Sequence, residues 1–83
     1  MFVFKDEKSN TYGPPFTMET RGSLIRMIQD ELRSGQAVWT KHPLDFSVFE
    51  VGYYDVYSGE LHPHETKNVL GLVQDFKISS DVQ

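Results

Sequence analysis

Residues 41–55 read KHPLDFSVFEVGYYD, and this stretch decides the fold. It opens on the turn dipeptide His42-Pro43 and continues with aromatic and branched side chains, a composition typical of a β-strand. Alternation divides the strand into two sets, with Phe46, Val48, Glu50, Gly52 and Tyr54 on one side and Ser47, Phe49, Val51 and Tyr53 on the other. Neither side is cleanly polar. We therefore predict a central strand, with one side covered by the chain's own helix and the other by a partner molecule or ligand.

The 83 residues suffice for one small domain, predicted to span residues 1–78, with residues 79–83 as a flexible C-terminal tail. A chain of this length buries only roughly 60–65% of the surface of its unfolded state, so its stability is expected to be marginal. Because the chain has no cysteine, disulfides and thiolate metal sites cannot supply the missing stability. Self-association is the remaining common solution, and we expect a homodimer or larger homo-oligomer.

Charge and hydropathy restrict the partners. The chain has 12 acidic and 8 basic residues, a net charge of -4, which argues against strong non-specific nucleic-acid binding by a monomer but leaves room for a local basic face. Met1 to Phe4 is too short for a signal-peptide core, and no apolar run approaches the roughly 20 residues that span a bilayer. We expect a soluble intracellular protein with no membrane contact.

The clearest helix is predicted over residues 21–34. Thr20 is suited to cap its first turn, and Gly35 is suited to the left-handed position after its last turn. An apolar arc forms at helical spacing from Leu24, Ile25, Ile28 and Leu32, flanked by Met27. On the opposite side, Arg26 and Asp30 have the spacing of a surface ion pair.

Shorter extended segments surround this helix. Residues 2–4 favour a first strand that pairs loosely with residues 16–18, and residues 36–41 are predicted to form a connection with an extended piece around Val38 and Trp39. Ser58-Gly59 predicts a hairpin turn, and Pro63 is expected to limit pairing of the returning arm. Residues 66–76 fit either a strand or a short helix. The predicted fold class is α+β, one amphipathic helix packed on a small, mostly antiparallel sheet of three to five strands.

Several segments occur in an order that resembles one family. They are Gly13-Pro14-Pro15-Phe16, the helix LIRMIQDEL, KHPLDF at residues 41–46, VGYYD at residues 51–55, and Ser58-Gly59. Together they resemble the small nonstructural protein of gokushoviruses, single-stranded-DNA phages of the microvirus group. The resemblance covers about residues 1–77, and its most specific part is KHP-x-DF followed by G-x-YD-x-x-SG.

The resemblance implies a phage accessory protein of the bacterial host's cytoplasm. It implies a role in progeny single-stranded-DNA synthesis or packaging, with single-stranded DNA and phage or host replication or packaging proteins as the partners. No active site or cofactor is associated with the family, so no catalytic residue is carried over.

The aromatic residues allow three interpretations, which stay open at this point. Single-stranded-DNA proteins stack bases on aromatic side chains and surround them with cations. The candidate nucleic-acid-binding residues are accordingly Phe49 and Tyr53 on one strand face, with Arg21, Arg26, Arg33, Lys41, His42 and Lys67 as phosphate contacts. Alternatively, the aromatic residues form the core, or they pair with their copies in a dimer. A protein–protein adaptor that never touches DNA fits the acidic balance.

Metal-site and enzyme interpretations are weaker. His62 and His64 would share a face of an extended chain and could meet Glu65 or His42, but zinc needs three or four converging ligands. Pro43 and Asp45 are expected to shape a turn, with the Asp45 carboxylate accepting nearby backbone N–H groups. No glycine-rich phosphate loop or nucleophile elbow occurs. We expect no metal, no cofactor and no enzymatic activity.

Overall fold

The computed structural model describes residues 1–77, so the predicted tail at residues 79–83 lies outside the described residues. The elements are β1 (Phe2–Asp6), β2 (Thr11–Tyr12), α1 (Arg21–Ser34), α2 (Val38–Lys41), β3 (Phe46–Tyr54), β4 (Leu61–Leu72) and a 3-10 turn (Val73–Phe76). The predicted α+β class is confirmed, because one long helix accompanies a four-stranded antiparallel sheet.

β3 lies inside the sheet, as predicted for the central strand. The strand order is β2-β1-β3-β4, so β3 pairs with β1 on one side and β4 on the other. Phe49 stands opposite Val3 in β1 and opposite Val69 in β4. The predicted pairing of residues 16–18 with β1 is reduced to one bridge between Phe2 and Phe16, while Thr11–Tyr12 forms the short edge strand.

The helix α1 begins and ends where its capping residues predict. The hydroxyl of Thr20 accepts the Ser23 N–H at 3.0 Å, and Gly35 has a left-handed φ of 68° and donates its N–H to the Glu31 carbonyl at 2.8 Å. Local interactions therefore set both ends. The predicted Arg26–Asp30 pair is wrong, since Asp30 pairs instead with Arg33, one turn further on, at 3.3 Å.

The core lies between α1 and one side of the sheet. Its buried members are Phe2, Leu24, Ile28, Val48 and Val73, each 4% exposed or less. Trp39 packs against this core from α2, so the predicted extended piece around Val38 and Trp39 is wrong. A helical turn lets Trp39 stack on Phe4, with 4.4 Å between the ring centroids.

Two further predictions, on Pro63 and on Asp45, are corrected, and the open alternative for residues 66–76 is settled. Pro63 does not limit pairing, because β4 is an edge strand whose register shifts opposite residues 50–52 and which then continues to Leu72. The ambiguous segment is strand as far as Leu72 and a 3-10 turn after it. The Asp45 carboxylate contacts Lys8 Nζ at 3.5 Å, and it is the Asp45 carbonyl that meets a backbone N–H, from Glu7.

Candidate nucleic-acid interface

The side of the sheet that faces away from α1 carries a continuous set of side chains, here called the open face. Both helices and the 3-10 turn contribute to the core on the other side, and within residues 1–77 none of them packs over this one. Strand alternation and pairing place the following side chains on the open face: Val3, Lys5, Tyr12, Phe49, Val51, Tyr53, His62, Lys67 and Val69.

Tyr12 organises the middle of the open face. Its ring crosses β1 and meets Phe49 edge-on, with 5.9 Å between the centroids and 71° between the ring planes. Two ammonium groups approach the same ring, Lys5 at 5.5 Å and Lys67 at 5.3 Å from the centroid. Val3 is only 5% exposed although it lies on this face, which fits a ring that shields it. All four strands thus contribute to one aromatic and cationic cluster.

A second aromatic pair lies toward the β3–β4 hairpin. Tyr53 and His62 stand opposite each other and stack, with 4.7 Å between ring centroids and 14° between planes. Tyr53 remains 55% exposed, so one of its faces is available to another planar group. The His62 ring also approaches Glu60, at 3.4 Å from Nε2.

The charge of the open face is close to balanced. Glu7 lies 3.4 Å from Lys5 Nζ and accepts a hydrogen bond from the Ser47 hydroxyl. That hydrogen bond is the main reason why the pKa of Glu7 lies below its usual range, so Glu7 is ionised at neutral pH and offsets Lys5. Lys67 is exposed and makes no carboxylate contact within the described residues. It is therefore the best-placed cation for a phosphate.

The structure separates most of the predicted cations from the predicted aromatic residues. Of the predicted set, Phe49, Tyr53 and Lys67 share the open face. The other members lie on the helix layer or beside it: Arg21, Arg26 and Arg33 on α1, Lys41 at the end of α2 and His42 just after it. The structure does not bring these five residues to the aromatic face, because α1 and α2 both pack on the opposite side of the sheet. Their role in nucleic-acid binding stays a prediction.

Sequence reasoning missed Lys5, Tyr12 and His62 as members of the face. A usable signal existed for Tyr12 in the turn that precedes it. Asp6 accepts the backbone N–H of Lys8 at 3.0 Å, and Asn10 takes a left-handed φ of 59°. Such turn chemistry predicts a tight hairpin that returns the chain beside Lys5. The two prolines that follow obscured it.

The helix side of β3 carries a separate polar cluster around Glu50. Its carboxylate accepts Arg21 Nε–H at 2.9 Å and lies 2.7 Å from His64 Nε2, which carries the proton because a carboxylate can only accept. His62 and His64 therefore lie on opposite faces of the sheet, contrary to the prediction, because β4 is irregular after Pro63: Pro63 pairs with Gly52, and the next paired residue of β4 is Asn68. Among residues 1–77, no three metal-ligating side chains come together.

The Glu50 cluster makes stability depend on pH. The Arg21 hydrogen bond, followed by that of His64, holds the pKa of Glu50 below its ordinary value of 4.5. A carboxylate with a lowered folded-state pKa stabilises the fold above its unfolded pKa, and this contribution is lost as pH falls through the folded pKa. Glu50→Gln should cost about 1–2 kcal/mol at pH 6, because charged hydrogen bonds are lost.

Urea unfolding of both proteins at pH 6 and near pH 3 measures this effect. The difference between wild type and Glu50→Gln should shrink at the lower pH, because the carboxylate of the unfolded state takes up a proton there and the stabilisation from the lowered pKa diminishes. Glu65→Gln, at an exposed position on the same strand, is the control and should change little at either pH. An equal Glu50→Gln deficit at both pH values would contradict this account of the cluster.

No helix in the described part of the chain combines the length and the apolar character needed to cross a membrane. A family model described as Phage ORF5 protein matches residues 1–76 of the chain. Comparison with curated proteins returned no significant match, and comparison with solved structures returned none either.

Proposed function

We propose a function from one premise, that the chain belongs to the Phage ORF5 protein family and is therefore a phage protein. The protein acts by binding and not by catalysis. It binds single-stranded DNA on the open face, in the cytoplasm of the infected bacterium, during synthesis or packaging of the progeny genome. The segments KHPLDF and VGYYD support placing it with the gokushovirus nonstructural proteins that it resembles.

The observation that carries this proposal is the cluster around Tyr12. Bases stack on aromatic rings displayed by a sheet, and four-stranded sheets use this arrangement widely for single strands. Tyr12 and Phe49 supply rings in the middle of the face, and Tyr53 supplies an exposed ring near the hairpin. Lys67 supplies an ammonium group within the same cluster. This favours contact with a base and its phosphate together.

The net negative charge of the chain limits the affinity for single-stranded DNA that we expect. With a net charge of -4 and about one phosphate contact, from Lys67, affinity depends more on stacking than on counterion release. One contact predicts a loss of about threefold in affinity between about 50 and 200 mM salt. The interaction should be moderate and tolerant of sequence, because every base has a face that can stack.

Fluorescence anisotropy with a labelled oligothymidylate of about 20 nucleotides tests the proposal, since this length exceeds the roughly 4–16 nucleotides that one small domain covers. Tyr53→Ala should weaken binding at least about fivefold, corresponding to a stacking contribution of about 1 kcal/mol or more. Lys67→Ala should weaken binding and reduce its salt dependence. Both positions are exposed, so neither substitution should unfold the protein.

Arg26→Ala is the matched control, because Arg26 is an exposed cation on the helix layer. It should leave the affinity unchanged. Absence of binding at both salt concentrations would sink the proposal, as would equal losses in Lys67→Ala and Arg26→Ala.

A protein-binding role is the second candidate, and exposed apolar side chains favour it. Val69 is 63% exposed and stands opposite Phe49 on the open face. A second copy of the chain seated there would give the homodimer expected for a domain with so small a core. Measurement of the solution mass of wild type and Tyr53→Ala separates the two candidates. If the substitution dissociates an oligomer and leaves oligonucleotide binding unchanged, the face is an adaptor or dimer surface.

A further inference from the structure

A groove of about 530 Å³ opens on the helix side of the sheet, next to the core. It runs between the edge of β1 and the segment that follows β2 on one side, and α2 on the other. Its main lining residues are Phe4, Pro14, Pro15, Val38, Trp39 and Phe46. Tyr12 also lines the groove, whereas Phe49, Tyr53 and Lys67 do not, so the groove adjoins the open face and shares one residue with it.

The floor of the groove is aromatic and rigid. Phe4 stacks on Trp39 at 4.4 Å with 15° between the ring planes, and on Phe16 at 5.5 Å with 22°. These rings also pack against the core, which fixes their positions. The rims are exposed, since Val38 is 59% exposed and the two prolines are exposed. The groove therefore offers flat apolar surface without needing to rearrange.

Two polar groups of the groove can recognise polar groups of a ligand: the Asp6 carboxylate at one end and the Trp39 indole N–H. Asp6 lines the groove, and a smaller concavity that shares Asp6 and Val38 with it also contains Asp45 and Lys8. Lys8 pairs with Asp45, so the carboxylate of Asp6 is in excess at this end. Trp39 lines the groove and is half-buried, and within residues 1–77 its indole N–H forms no hydrogen bond. The indole N–H is the side-chain donor that the groove offers.

We propose that the groove binds an extended, proline-containing segment of another protein that carries a Lys or Arg beside its prolines. Such segments adopt the polyproline II conformation in advance and dock in aromatic-lined grooves at low entropic cost. The Phe4 and Trp39 rings contact the proline rings of the segment. The Trp39 N–H donates to one of its backbone carbonyls, and Asp6 pairs with its Lys or Arg. Each group in the groove then has a complementary group in the segment.

Charge decides against the other occupants. A nucleic acid would bring phosphates to the Asp6 end, where like charges repel. A second copy of the chain would bring another net charge of -4 to an acidic groove. The residues after Lys77 read ISSDVQ, with an aspartate and without proline or a cation, so they lack the chemistry that the groove favours. A basic, proline-containing segment of a different protein is the occupant that fits.

Anisotropy of a fluorescein-labelled octapeptide with two prolines three residues apart and a terminal arginine tests the proposal. The intact protein should bind it with a Kd below about 1 mM, typical of short-peptide recognition. Val38→Lys should weaken binding at least about fivefold, because it places a positive charge in the apolar rim, near the arginine of the peptide. Val56→Lys is the matched control: Val56 is 73% exposed and does not line the groove, so its affinity should equal that of wild type.

Two further variants test the polar groups separately. Trp39→Phe keeps a ring for stacking and removes the N–H donor, so affinity should fall. Asp6→Asn keeps an acceptor for the Lys8 N–H and removes the charge; it should weaken the arginine peptide but not a peptide with alanine in place of arginine. The proposal is overturned if a peptide with both prolines replaced by alanine binds equally well, if Val56→Lys behaves like Val38→Lys, or if Val38→Lys instead dissociates a homodimer.

Discussion

Gly52→Ala should destabilise the protein most among the substitutions with an expected effect on stability. A Cβ at Gly52 would lie 2.4 Å from the His62 carbonyl oxygen and 2.9 Å from Pro63 Cα. Both are backbone atoms of β4 and cannot move aside without breaking the pairing with β3. Overpacking of this kind costs about 3 kcal/mol or more, against a total stability of about 4–12 kcal/mol for a domain of this size. The midpoint of thermal unfolding should fall by more than about 12 °C.

Gly22→Ala is the control for this substitution. A Cβ at Gly22 would meet only the Thr20 hydroxyl oxygen, at 3.6 Å, which is an ordinary contact. Since alanine is a better helix former than glycine, this variant should match wild type or gain up to about 1 kcal/mol. Urea unfolding followed by the fluorescence of Trp39, the single tryptophan, measures both variants. The assigned register of β3 and β4 would be wrong if Gly52→Ala lay within about 1 kcal/mol of wild type.

Gly52 also shows which part of the sheet cannot be predicted from the sequence. The strand β3 and its alternation could be read directly, because side-chain direction in a strand depends only on local geometry. The close approach of β4 could not, since it depends on a partner strand that carries a proline. The register shift opposite residues 50–52 lets Pro63 remain in the strand. Such non-local pairing leaves no mark in the alternation of either strand.

The two helices make the same contrast. Thr20 and Gly35 mark both ends of α1 by interactions within one turn, so the predicted bounds agree with the structure. The short helix α2 has no side-chain cap and no periodic pattern. The helix α2 is stabilised by the stacking of Trp39 on Phe4, two residues that lie 35 positions apart in the chain. A contact of that kind could not be predicted from the local sequence.

The candidate interface could be predicted only in part for a similar reason. Phe49 and Tyr53 were identified by alternation, and the structure places both on the open face. The cations carry no local signal of the sheet side on which they lie, because that side depends on where α1 packs. Arg21 therefore meets Glu50 on the helix side, whereas Lys67 reaches the ring of Tyr12 on the open face. Layer order, and not composition, decides which charges surround the aromatic residues.

Ile28→Ala should have the second-largest effect on stability, because Ile28 is completely buried between α1 and the sheet. Removing its side chain leaves a cavity in a core that has few other members. The expected cost is about 2–5 kcal/mol, a large share of the stability of so small a domain. The same urea titration measures the free energy of unfolding.

Ile25→Ala makes the identical chemical change about 60° around the helix axis and serves as the matched control. The apolar arc predicted from the sequence included both isoleucines, but in the structure Ile25 is only half-buried and is not among the side chains packed against the core. Its loss should cost about 1 kcal/mol, because part of the side chain already contacts water. Equal costs at the two positions would mean that α1 is rotated about its axis toward Ile25. The helix layer would then present different side chains to the sheet, with Ile25 in place of Ile28 at the centre of the core.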